Sequence, residues 1–140
     1  MEISLLAPLV RIAGWEKALA DYLRDMRRAK YHPTRRNCAQ FVADAVSAMT
    51  GRDMRTELGL HWDRQDDIAS ALKYGLEPIL DQILTPTVAT HGRRGDIVIV
   101  PSADGRGSLA LIDGSHALAL SRGGLVRVLI DARKPAWKVG

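Results

Sequence analysis

The hydrophobic period of this chain changes once, near Thr85, and that change limits the fold more than any other feature. Before it, apolar residues recur at helical spacing; after it, they come in short runs bounded by glycine, proline and aspartate. Between Gly14 and Lys30, the stripe Trp15, Leu19, Tyr22, Leu23 and Met26 predicts an amphipathic helix. His32-Pro33-Thr34 breaks it, because the residue before a proline avoids the α region. A second helix is expected from Cys38 to Thr50, with Cys38, Phe41, Val42, Ala45 and Met49 on one face and Gly51 as its stop. Asp63 is placed to cap a third helix reaching Tyr74 and Gly75, with Asp66 and Asp67 in its first turn. A short fourth helical piece is expected after Pro78, through Leu80 and Ile83.

Beyond Thr85 four strands are expected, over 96–100, 108–112, 116–120 and 125–130, with Asp113-Gly114-Ser115 as a hairpin turn. The links between them are too short for parallel crossovers. The expectation is an α+β fold, N-terminal helices followed by a C-terminal antiparallel sheet, in one domain over residues 1–140. Phe41 is the one phenylalanine, so aliphatic side chains must supply most of the core.

Several classes are excluded early. No apolar run approaches the roughly 18 residues of a membrane span, and Glu2 before Ile3–Val10 with Arg11 after it does not fit a signal peptide. The single cysteine rules out an internal disulfide and a multi-thiolate zinc site. Four scattered histidines show no metal-ligand spacing, and Gly105-Arg106-Gly107 is too short for a phosphate loop, so no metal or cofactor is expected. The formal charge of +4 is concentrated in Arg24, Arg27, Arg28, Lys30, Arg35 and Arg36, opposed by Asp25. Without interleaved aromatics or a recognition motif, this cluster argues for a solvated face rather than a nucleic-acid partner.

Asn37-Cys38-Ala39-Gln40 is the most informative tetrapeptide. Asn37 is a preferred N-cap and Gln40 stands at the third helical position, as in a capping box. Cys38 is thereby placed among free backbone N–H groups at the positive end of the helix dipole, where a thiolate is favoured and Arg35 and Arg36 add to the effect. The Cys38 N–H is itself a candidate oxyanion donor. Equally, Cys38 shares a stripe with Phe41 and Val42, and a free cysteine packs well as a core residue. Nucleophile and core residue both remain open.

These residues carry a resemblance. Trp15 and the helix after it, Tyr31-His32, the run Asn37 to Asp44, and Met49-Thr50-Gly51-Arg52-Asp53 resemble small bacteriophage and prophage proteins related to the NlpC-like cell-wall cysteine peptidases. Arg94-Gly95-Asp96-Ile97-Val98, Gly123-Gly124-Leu125 and Ala136-Trp137-Lys138-Val139 continue it in order. The resemblance implies a papain-like, NlpC-like fold, a tail-tip location in the virion after synthesis in the bacterial host cytoplasm, and other tail proteins or peptidoglycan as partners. It also implies Cys38 as the nucleophile of a peptidase or amidase cleaving peptidoglycan stem peptides. Active relatives open the strand after Gly-Asp with a histidine, and here Ser108 stands in that place. A hydroxyl cannot serve as a neutral-pH base as an imidazole does.

His116, which opens the next strand, is the candidate replacement base, expected beside Ser108 across the hairpin. His91 is assigned to a loop, His32 to the approach to Cys38, and His61 to local packing with Trp62. Asp113 and Asp131 could orient an imidazole, although aspartates beside turns are usually caps. The apolar ends, Met1 to Val10 and Pro135 to Gly140, are expected to serve contacts with other proteins. Two functions follow: a non-catalytic tail component on a papain-like scaffold, and an active cysteine peptidase.

Overall fold

The structure, a computed structural model, describes residues 9–57, 75–103, 105 and 107–140. Within them the helix-to-strand change occurs where the period changes. Helix α1 (Trp15–Met26) buries Leu19 and Leu23, and Lys17 and Asp21 pair on its exposed side. It spans its predicted stripe from Trp15 to Met26, and the Arg27 N–H turns back to Arg24 O and ends it. Helix α2 (Cys38–Thr50) matches the expected bounds and lies in the centre of the core, with Phe41, Val42, Val46 and Met49 buried. Gly51 closes it in the left-handed conformation, φ 72°. Helix α3 (Met54–Glu57) is one turn, held by Met54 N donating to Ser47 Oγ at 3.0 Å.

The expected helix over 63–74, with Asp66, Asp67, His61 and Trp62, lies outside the described residues. Helix α4 (Leu76–Ile83) buries Leu76, Leu80 and Ile83. It starts before Pro78, since a proline in the first turn forfeits no intrahelical bond.

Six described strands form one antiparallel sheet in the order β1-β6-β2-β3-β4-β5. They are β1 (Thr85–Val88), β2 (Ile97–Val100), β3 (Ser108–Asp113), β4 (His116–Ser121), β5 (Gly124–Leu129) and β6 (Pro135–Lys138). Strands β2 to β5 are the expected meander; β1 and β6 were not anticipated. Pro86 sits on edge strand β1 and Pro135 opens β6, two places where a missing N–H is tolerated.

The expectation that Pro135 to Gly140 forms an outward contact surface is overturned. Strand β6 lies between β1 and β2, and Ala136, Trp137 and Val139 are buried in this chain's own core. Trp137 Nε1 also donates to Asp81 Oδ1 of α4 at 2.9 Å. Of the other terminus, Leu9 packs against the core and Val10 is exposed, while residues 1–8 lie outside the described set.

The alternation Leu109-Ala110-Leu111-Ile112 and Ala117-Leu118-Ala119-Leu120 sorts the two faces of the sheet. The leucines join α1, α2 and α4 in the main core, and the alanines with Val98, Val100 and Ile112 form a smaller cluster behind it. Helices therefore cover the leucine face.

Candidate functional site

The approach to Cys38 is a closed loop. His32 N donates to Arg36 O and Arg36 N to His32 O, each at 3.0 Å. Backbone N–H groups of Thr34 and Arg35 donate to His32 Nδ1 at 3.2 and 3.1 Å, which leaves the proton of the neutral ring on Nε2. Asn37 Nδ2 reaches Pro33 O at 3.0 Å and Gln40 Nε2 reaches Thr34 O at 2.8 Å. The capping box is complete: Gln40 N donates to Asn37 Oδ1 and Asn37 N to Gln40 Oε1, both at 3.0 Å. Cys38 opens the helix as expected. Its side chain is partly buried and packs against the main core.

The candidate base, His116, opens β4. Pairing across the β3–β4 hairpin sets Asp113, not Ser108, opposite His116. Ser108 lies at the far end of β3, about 16 Å along the strand, opposite Val100 of β2. The two-residue turn Gly114-Ser115 fixes this register, which corrects the expectation that His116 stands beside Ser108. His116 Nδ1 is 3.1 Å from Ser115 Oγ.

The turn before β2 links β3 to the last turn of α2. Gly95 N donates to Ile112 O, next to Asp113, and Gly95 is in close contact with the Met49 side chain in the last turn of α2. Cys38 begins that helix, about 16 Å earlier along its axis. Among the described residues, no hydrogen bond joins the Cys38 thiol to an imidazole. His91 falls in a 3-10 turn, Ala89–His91, rather than an irregular loop. Asp131 acts as a turn cap, accepting from Arg133 N at 3.0 Å, and this bond foremost holds its carboxyl below the usual range.

Asp113 has arginine partners instead of an imidazole: Arg94 Nε at 3.1 Å and Arg127 Nη1 at 3.5 Å. These three residues, with Arg24 and Arg27 from the end of α1, line a cleft of about 360 Å³. Two members of the basic cluster seen in the sequence, Arg24 and Arg27, are thus joined by Arg94 from the turn before β2 and Arg127 of β5.

A family model described as a domain of unknown function, DUF6950, matches residues 10–139. The chain belongs to that family. No curated protein matches it. The DUF6950 match includes Cys38, Ser108, His116 and every arginine of the cleft. Among the described residues of this DUF6950 chain, no helix is long and apolar enough to cross a membrane, and no three His, Cys, Asp or Glu side chains are grouped to hold a metal ion.

In the sequence Arg94 stands out only as the start of the Gly-Asp motif, and Arg127 is isolated among strand residues, so neither is read there as part of a charged site. The available signal was strand alternation: Arg127 shares the Leu125 side of β5, and Leu125 packs against the main core.

Proposed function

We propose that this chain is a bacteriophage tail-tip protein on a papain-like, NlpC-like scaffold, with a structural rather than catalytic role. The virion assignment rests on the sequence resemblance, which runs in order from Trp15 to Val139. The observation that carries the non-catalytic reading is the β3–β4 register. It sets His116 opposite Asp113, at the strand end away from Ser108, while Cys38 opens α2 and Met49 lies in its last turn near Gly95. General-base activation of a thiol needs an imidazole within about 3 Å, or one water away.

The alternative, an active peptidase acting on peptidoglycan stem peptides, is favoured by one feature. Cys38 is only partly buried at a fully formed capping box. Phage carrying Cys38→Ser separates the two readings. A scaffold role predicts unchanged particle assembly and infectivity. Normal particles with infectivity reduced a hundredfold or more would overturn it in favour of catalysis.

A further inference from the structure

We propose that the cleft between α1 and the β3–β5 part of the sheet binds a phosphate monoester attached to an apolar or aromatic body. Four guanidiniums converge there from three parts of the fold: Arg24 and Arg27 at the end of α1, Arg94 before β2, and Arg127 on β5. Among the described residues, Asp113 is the one carboxylate lining the cleft. Among the described lining residues, the balance is four positive charges against one negative, or +3.

Arg27 has no acidic partner among the described residues, and Arg24 is paired outside the lining with Asp21. Like charges brought together this way favour an anion of more than one charge. A phosphate monoester carries about two negative charges and three acceptor oxygens, which suit forked arginine donors better than a single carboxylate does.

The floor is different in character. Leu23, Leu118 and Leu125 give the cleft an apolar base, so a ligand with a hydrocarbon or aromatic part gains contact that a bare anion does not. The volume of about 360 Å³ suits a small ligand rather than a polymer lying across the surface. Asp113 meanwhile acts as an internal counter-ion. Its bonds to Arg94 and Arg127 must loosen when a phosphate arrives, so it opposes binding while holding the two arginines in position.

The test is titration calorimetry of the full chain with phenyl phosphate, inorganic phosphate and benzoate at one ionic strength. Phenyl phosphate should bind severalfold tighter than either control, because it alone uses both the arginines and the leucine floor. Arg27→Gln and Arg127→Gln should each weaken it about tenfold or more, whereas Asp113→Asn should tighten it. Arg27 is in no ion pair among the described residues, so Arg27→Gln should fold normally. Thermal melting of each variant checks this.

Absence of saturable phenyl phosphate binding at millimolar concentration overturns the proposal. So does equal weakening by Arg35→Gln, a residue of the same basic cluster outside the cleft, since that describes diffuse charge. Tighter binding of duplex DNA that Arg27→Gln and Arg35→Gln reduce equally would likewise replace the cleft with a general basic surface.

Discussion

Arg11 and Asp96, 85 positions apart, form an ion pair at 2.9 Å, with side chains only 3% and 4% exposed. The guanidinium also donates to Val139 O and Arg94 O, both at 2.6 Å, and lies 4.2 Å from the Trp15 ring centroid. The carboxylate accepts from the backbone N–H of Arg93 at 3.0 Å and of Val139 at 2.9 Å. One pair thus ties the segment before α1 to the turn before β2 and to the end of β6. The aspartate of the Gly-Asp motif is therefore a fastening within the fold.

Replacing Arg11 with Met leaves the Asp96 charge buried without its ionic partner. Breaking such a pair costs about 3–5 kcal/mol. Urea unfolding of Arg11→Met should show a correspondingly lower midpoint. A loss under about 1 kcal/mol would mean the two backbone N–H donors suffice for the carboxylate.

Asn37→Ala removes half of a capping box whose two bonds are both 3.0 Å. The expected loss is about 1 kcal/mol, and Asn37→Asp should recover part of it, since it keeps the accepting oxygen but loses the bond from Nδ2 to Pro33 O. Chemical denaturation of the two variants side by side measures the difference. Equal losses would contradict the capping role.

Gly95 holds φ +91°, and an added Cβ would lie 2.5 Å from Met49 Sδ and 3.1 Å from Arg11 Nη1. Gly14 has φ +78° with nothing within 4 Å of such a Cβ. Gly14→Ala should therefore cost about 1–2 kcal/mol from backbone conformation. Gly95→Ala should cost about 1–3 kcal/mol more, from overpacking against the end of α2. Equal melting temperatures for the two variants would show that Met49 yields freely.

Tyr22 donates to Phe41 O at 2.7 Å, and its ring stacks on Phe41 with centroids 5.8 Å apart. Burial, and then the charge of Asp44, pushes its phenol above the ordinary value of 10.0. A group whose pKa is raised by folding contributes its full stability below the unfolded value and loses it as pH rises beyond that value. The stability advantage of the native chain over Tyr22→Phe should therefore be constant from pH 7 to 9 and shrink above about pH 10. A gap that widens with alkali would reverse the assignment.

Much of the local structure is readable in the sequence. Asn37, Gln40 and Gly51 specify both ends of α2, since caps act over three or four residues and need no distant partner. The strands β2 to β5 follow from short apolar runs bounded by turn residues and from the Gly114-Ser115 turn. Strand β6 is harder to read, because Ala136-Trp137-Lys138 becomes a strand only through pairing with β1 and β2, which lie far away in the chain.

The site divides in the same way. The position of Cys38 at the start of a helix is a local property, and it needs nothing beyond Asn37 to Gln40. The place of His116 depends on strand register, and the meeting of Arg24 and Arg27 with Arg94 and Arg127 depends on how α1 lies over the sheet. The single change of hydrophobic period near Thr85 determined that helices would precede an antiparallel sheet. Only the tertiary structure decided which residues stand together, setting His116 opposite Asp113 and assembling an arginine cleft, because side-chain proximity across elements is set by packing and pairing and not by spacing along the chain.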